Sequence, residues 1–323
     1  MMILDPPVYT SLDDIIEKHT EDARELLENA LAPLEEYVGK ASSLIKWVLS
    51  NAYSLSGGLY REEIGRWAKV LQVSKGNIIT ANVSYELAQA AQYLSERFFP
   101  AVGCTSVVLK TAKNGFVHVR NLDWDLLEMG YTTIVRILET EDRDVVAVTN
   151  PGFVGILSGM VPEKFSVTLN WAPPTERPRF DFGPVFLLRW VLENATDFDD
   201  AVSQLANTAL SSPVFFTVCG VDNACVIERT CRESAIRWFD DKPLVVTNHY
   251  LTEELGHLND DDFIGDSDGR YESALRAAKR YKGKSFEDLF KILSGRICRN
   301  DLTVQQMVFA PAAGDYSVRA YDI

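Results

Sequence analysis

Histidine is scarce in this chain, with four in 323 residues at positions 19, 118, 249 and 257, so imidazole acid–base chemistry has few sites to occupy. Basic charge is also short: 32 Lys and Arg stand against 46 Asp and Glu, for a net charge of -14 and an isoelectric point near 4.8. That deficit excludes a phosphate-binding stripe, and nucleic acid with it. No apolar run reaches the roughly 20 residues of a membrane-spanning helix. Met1-Met2-Ile3-Leu4-Asp5-Pro6-Pro7 lacks a basic region ahead of an apolar core. The compartment expected from these residues is the cytoplasm. Two N-x-S/T triplets, at Asn82 and Asn194, carry weight only in a secreted chain.

C-x-x-C pairs are missing too. The cysteines stand at 104, 219, 225, 231 and 298, an odd number that suits a reduced compartment. Cys219, Cys225 and Cys231 recur every six residues in strand-like text without partner histidines, so they read as core residues and no metal is expected. Asp260-Asp261-Asp262 lacks the spaced ligands of a calcium loop, and Ser56-Gly57-Gly58 is a break between helices rather than a phosphate cradle. No cofactor is expected.

What is present changes character near Pro100. From Ser11, a cap candidate, to about Arg97 the apolar spacing is helical. Within this stretch Ala41 to Leu49 reads as a core helix, with a lipid-surface helix as the alternative. Beyond it the period becomes two. Strands are expected at Cys104 to Thr111, Phe116 to Leu122, Tyr131 to Glu139, Asp144 to Thr149, Phe153 to Ser158 and Phe165 to Asn170. Helices follow at Gly183 to Glu193 and Phe198 to Asn207, the second capped by Asp197. Strands resume at Val214 to Cys219, Ala224 to Arg229, Ala235 to Phe239 and Leu244 to Thr247. Helices from Arg270 to Lys282 and Ser285 to Leu293, then strands Thr303 to Phe309 and Ser317 to Tyr321, complete an α+β order with two packed sheets.

The change of period coincides with Gly103-Cys104. Asn114-Gly115 is a hairpin signal; a two-residue loop there pairs Lys113 with Phe116 and sets Ser106 opposite Asp123. Cys104, Ser106 and Asp123 then share one face, and Arg120 reaches it only through a bulge. His118, two residues from Arg120, falls with it on the opposite face. On this reading the Cys104 thiol attacks the Gly103 carbonyl, the thioester hydrolyses, and Cys104 becomes a new N-terminus whose amine serves as base. Asp123 orients that amine and Arg120 favours the thiolate. A buried strand cysteine and a surface Arg120–Asp123 ion pair are the plain alternatives, and neither explains a helical segment ending where the nucleophile begins.

Gly103-Cys104-Thr105-Ser106-Val107-Val108, with Gly115-Phe116-Val117-His118-Val119-Arg120-Asn121-Leu122-Asp123, resembles the acid ceramidase and N-acylethanolamine-hydrolysing acid amidase family of N-terminal-nucleophile cysteine hydrolases, related to the choloylglycine hydrolases. The resemblance covers most of the chain, including Gly65-Arg66-Trp67-Ala68 and Asn82-Val83-Ser84-Tyr85-Glu86-Leu87 of the helical part. It implies a four-layer αββα sandwich over residues 104–323, preceded by a helical propiece or α-subunit over 1–103, cut at Gly103–Cys104. The family's cysteine, arginine and aspartate fall on Cys104, Arg120 and Asp123. Its oxyanion asparagine falls on Asn248, its later arginine on Arg270 after a longer loop, and a polar substrate-site residue on Asn170. An acidic compartment, lysosomal or secreted, is implied as the alternative to the cytoplasm.

The reading is a self-cleaving cysteine amidase for non-peptide amides, most simply N-acyl lipids such as ceramides or N-acylethanolamines. It works through a thioester, with the two fragments associated non-covalently and transient contact with a membrane surface. A bile-salt or penicillin-type acylase, or an uncleaved lipid-binding member, are the alternatives. A cysteine–histidine protease would need His118 or His249 beside Cys104. Trp47, Phe98, Phe99, Met129 and Trp171 are candidates for an acyl pocket, each equally at home in a plain core.

Overall fold

The computed structural model describes residues 2–39, 42–55, 58–94, 103–126, 128–259, 266–283 and 285–322. Phe98, Phe99 and the acidic triplet at 260–262 lie outside them. Five helices make up most of the N-terminal segment: α1 (Leu12–Val38), α2 (Ser42–Leu55), α3 (Arg61–Leu71), α4 (Lys75–Asn82) and α5 (Ser84–Leu94). The Ser11 hydroxyl caps α1 by accepting the Asp13 N–H at 3.1 Å. Ile15, Leu27, Ile64, Trp67, Ile78 and Tyr85 turn inward and merge with the core beneath the larger sheet. The core-helix expectation at Ala41 to Leu49 is corrected on α2, where Leu44 and Trp47 are 62% and 64% exposed.

Two short strands precede these helices, β1 (Met2–Leu4) and β2 (Val8–Tyr9), too brief and too close to Pro6-Pro7 to show a period. The others are β3 (Gly103–Thr111), β4 (Gly115–Asp123), β5 (Ile134–Glu139), β6 (Asp144–Thr149), β7 (Ser158–Val161), β8 (Phe165–Trp171), β9 (Val214–Gly220), β10 (Ala224–Arg229), β11 (Ser234–Trp238), β12 (Leu244–Val246), β13 (Thr303–Ala310) and β14 (Asp315–Asp322). They form a six-stranded sheet ordered β1-β14-β13-β4-β3-β12 and an eight-stranded sheet ordered β11-β10-β9-β8-β7-β6-β5-β2. A short α6 (Glu128–Tyr131) takes the start of the expected strand at 131.

Helices α7 (Pro184–Asn194) and α8 (Phe198–Asn207) cover the larger sheet, and α9 (Ser267–Arg280) and α10 (Phe286–Phe290) the smaller. Between the sheets lie two apolar clusters, one around Val108, Phe215 and Val246 and one around Val148, Met160 and Met307. The molecule is a four-layer αββα sandwich, the architecture that the resemblance implies. The expected strand at Phe153 to Ser158 is irregular up to Leu157. The Oδ1 of buried Asn82 takes the N–H groups of Val154 and Gly155 at 2.6 and 3.1 Å, so a ladder has no donors there.

Asn114-Gly115 does turn the β3–β4 hairpin, but in a different register. Thr111 pairs with Gly115 around a three-residue loop, Gly115 lies at φ 65°, and the Thr111 hydroxyl accepts the Asn114 N–H at 3.0 Å. Ser106 therefore stands opposite Arg120, and Gly103 opposite Asp123. Cys104, Ser106, Arg120 and His118 share one face, while Gly103, Thr105 and Asp123 share the other. The expected arrangement is reversed: Arg120 meets Cys104 by plain alternation, and no bulge is needed in this hairpin.

Candidate active site

Each polar atom of Cys104 has its own partner. The thiol sulfur receives a hydrogen bond from Arg120 Nη2 at 3.3 Å, the N–H donates to Asn248 Oδ1 at 3.1 Å, and the carbonyl oxygen accepts from Arg270 Nη1 at 2.6 Å. The residue is 1% exposed. Arg120, fully buried on β4, reaches the larger sheet, where its guanidinium also binds the Ser158 hydroxyl and the Leu169 carbonyl. Those two anchors hold its planar group against the sulfur.

Asn248 follows β12, which hydrogen-bonds to β3. Its Nδ2 donates to Trp171 O at 2.8 Å, and its Oδ1 also accepts from Arg270 Nη2 at 2.7 Å. The Ser267 hydroxyl at the start of α9 accepts the Asn248 N–H at 2.8 Å. Arg270 comes from the first turn of α9, which is why a longer preceding loop leaves it in place; it also donates to Thr105 Oγ1 at 3.2 Å.

Asp123 is buried on the opposite face from the sulfur. Its carboxylate accepts from Thr303 Oγ1 at 2.6 Å and from Asn300 Nδ2 at 3.4 Å. Burial pushes this carboxyl up, against the pull of Thr303, Arg270, Asn300 and Arg120. A Cβ at Gly103 would come within 3.2 Å of Asp123 Oδ2 and 3.5 Å of the Arg270 guanidinium. A side chain there would crowd both groups and fit only if they gave way by a few tenths of an ångström. The partner of the Cys104 nitrogen is Asn248, so the expected Asp123 contact to that nitrogen is absent from the intact chain.

Asn170 on β8 faces Ser106, whose hydroxyl donates to its Oδ1 at 2.9 Å, while its Nδ2 donates to the carbonyls of Val246 and Thr247 at 3.3 and 3.1 Å. It heads a chain of buried polar groups and does not contact the sulfur among the described hydrogen bonds. That chain runs on through Ser106 and Thr168 to His118, whose Nε2 lies 3.0 Å from Thr168 Oγ1 and whose Nδ1 lies 3.1 Å from Ser166 Oγ. Burial, helped by Arg120, pulls the His118 imidazole down to about 3, so it is neutral. His249 Nδ1 faces Ser267 and Thr247, and its Nε2 faces Asp268 at 3.3 Å. All four ring nitrogens are engaged away from Cys104, which removes the cysteine–histidine arrangement.

Ser158, Thr303, Asn300 and Ser267 were not found from the sequence. Ser158, Thr303 and Asn300 hold Arg120 and Asp123, and Ser267 at the start of α9 holds Asn248, all from far along the chain, where a lone polar residue carries no pattern. Tyr85 on α5 packs its ring on Trp171 at 4.8 Å and donates to Pro213 O at 2.8 Å, walling the site from the N-terminal side. Trp171 and Met129 are buried; Met129 instead lines a small cavity of about 60 Å³.

The chain is similar to several known proteins. Acid ceramidase from Heterocephalus glaber is 26% identical over 82% of this chain and 71% of its own. N-acylethanolamine-hydrolyzing acid amidase from Caenorhabditis elegans is 27% identical over 97% of this chain and 88% of its own. A solved structure of a Caenorhabditis elegans N-acylethanolamine-hydrolyzing acid amidase ortholog superposes with a TM-score of 0.56 at 26% identity, covering 68% of this chain and 100% of the other. A conjugated bile acid hydrolase from Clostridium perfringens shares the fold, with a TM-score of 0.51 at 14% identity over 68% of this chain and 89% of its own. The family model for acyl-coenzyme A:6-aminopenicillanic acid acyl-transferase matches residues 111–304, which include Arg120, Asp123, Asn170, Asn248 and Arg270. The chain belongs to that family, and acid ceramidases and N-acylethanolamine-hydrolysing acid amidases are among its relatives.

Proposed function

We propose that the chain is a self-cleaving cysteine amidase that hydrolyses N-acyl amides, with N-acyl lipids such as ceramides or N-acylethanolamines as the substrate class. The observation that carries this reading is the separate clamping of the sulfur, nitrogen and carbonyl of Cys104 by Arg120, Asn248 and Arg270. The backbone partners are what any buried residue needs; the guanidinium held on the sulfur is what a merely structural cysteine does without.

In maturation, Cys104 Sγ attacks the Gly103 carbonyl carbon, the C–N bond breaks, and the nitrogen takes a proton to become an amine. Water then hydrolyses the Gly103 thioester, dividing the chain into 1–103 and 104–323. Departure of Gly103 leaves room beside Asp123, whose carboxylate then holds the amine. In turnover the same sulfur takes the acyl group, the amine proton-shuttles to the leaving group, and water releases the acid. Arg120 stabilises the sulfur as it gains charge. Asn248 binds the oxyanion by turning its Nδ2 from Trp171 O, with Asn170 in support through Ser106.

The test is a panel of an N-acylethanolamine, a ceramide and a glycine-conjugated bile acid, assayed for released acid with wild type and Cys104→Ala. The account expects release from the lipid amides by wild type alone. Equal release by Cys104→Ala, or release from the bile acid only, contradicts it.

A further inference from the structure

Five side chains that are fully buried between the sheets make one hydrogen-bonded chain. Ser166, Thr168 and Asn170 alternate along one face of β8, and Ser106 of β3 and His118 of β4 meet them from the other sheet. The direction of the chain is fixed at one end. Asn170 Nδ2 gives both its hydrogens to the carbonyls of Val246 and Thr247, so Ser106 meets Oδ1, and the single Ser106 hydrogen goes there at 2.9 Å. Ser106 is then the acceptor for Thr168 at 3.2 Å. With the Thr168 hydrogen engaged, His118 Nε2, 3.0 Å from Thr168 Oγ1, has to be the donor. A neutral imidazole carries one N–H, so His118 Nδ1 accepts from Ser166 at 3.1 Å.

We propose that His118 is a positioning residue: held as its Nε2–H tautomer, it sets the direction of this chain and thereby fixes the Asn170 amide that grips the backbone just ahead of Asn248. Val246 ends β12 and Thr247 follows it; the next residue is the one whose Oδ1 takes the Cys104 N–H. The opposite tautomer would draw the Thr168 hydrogen to His118, leaving one hydrogen for the two contacts of Ser106. One of those contacts would then fail, and a buried polar group left unpaired carries its full desolvation penalty. An imidazolium would set a second positive charge near Arg120, two residues along β4 on the same face. The tautomer does not depend on the amidase reading, whereas its kinetic consequence rests on it.

Proton–nitrogen NMR of the histidine-labelled full chain at pH 7 reads the tautomer, with the His118 signals identified by their loss in His118→Gln. The neutral Nε2–H form is expected. His118→Gln places an amide nitrogen near the Nε2 position and His118→Asn places one near Nδ1, so only the first keeps a donor for Thr168. Hydrogen exchange at the Asn248 N–H should quicken about tenfold or more in His118→Asn and stay near wild type in His118→Gln. In amide hydrolysis His118→Asn should lower kcat about tenfold with KM unchanged, and His118→Gln should retain most of it. An Nδ1–H tautomer, an imidazolium, or two variants that match each other in exchange or in kcat overturns the proposal. Wild type without amidase activity would sink the amidase reading alone, and the tautomer and the exchange would still decide this one. If either variant does not fold, the wild-type tautomer decides.

Discussion

In the proposed mechanism the chemistry of Cys104 turns on Arg120, whose guanidinium contacts the sulfur, Ser158 and Leu169 at once. Lysine offers a point charge without the planar fork. Arg120→Lys is therefore expected to slow self-cleavage about a hundredfold, the scale of losing one preorganised donor, as followed by the rate of fragment formation; an unchanged rate would remove the arginine from the mechanism. Glu86 makes a separate prediction. Its folded-state value, raised from 4.5 to about 7, means that the buried neutral form stabilises the fold fully below pH 4.5 and that this contribution is lost as pH rises through 7. Urea unfolding on a Cys104→Ala background should show Glu86→Gln gaining about 3 kcal/mol relative to Glu86 between pH 4 and pH 8. A gap that stays constant across that range contradicts the burial argument.

At the scale of elements, the β3–β4 hairpin decides which groups meet. Its existence was legible in Asn114-Gly115, as were the switch of period at Pro100 and the caps at Ser11 and Asp197, whose side chains accept the N–H groups of Asp13 and Asp200. Its register was not legible, because two- and three-residue loops use the same dipeptide and differ only in where Gly115 takes its positive φ. That ambiguity exchanged the faces of Arg120 and Asp123, though both residues had been singled out. The strand at 158 was misplaced for another reason: Asn82, 72 and 73 residues before Val154 and Gly155, takes their donors. Gly115→Ala, with only Ala312 Cβ at 3.9 Å from an added Cβ, should cost about 1 kcal/mol from left-handed backbone alone. Chemical denaturation measures it, and cleavage at Gly103–Cys104 should persist.

For the whole molecule, the question that the proposed cleavage raises is what would retain residues 1–103. All five cysteines lie beyond Gly103 and are free, so packing and charge must do it. β1 extends the edge of one sheet beside β14, and β2 extends the other beside β5. Glu63 of α3 adds a buried link to Arg136 and Arg189; burial raises its carboxyl, but the two arginines outweigh that and hold it below the usual range. A lowered value means this link is complete above about pH 4.5 and is lost as pH falls through the folded value. Glu63→Gln should cost about 3 kcal/mol, the lower scale for breaking a buried pair, and should release the 1–103 fragment on gel filtration of cleaved protein. A Glu63→Gln complex that co-elutes as firmly as wild type contradicts that role. All of this rests on one bond. Intact mass spectrometry of wild type and Cys104→Ala, each held at pH 4.5 and pH 7.5, tests it most directly. The account predicts two wild-type fragments dividing between Gly103 and Cys104 and a single uncut Cys104→Ala chain, whereas wild type intact at both pH values, or Cys104→Ala cut at the same bond, would contradict it.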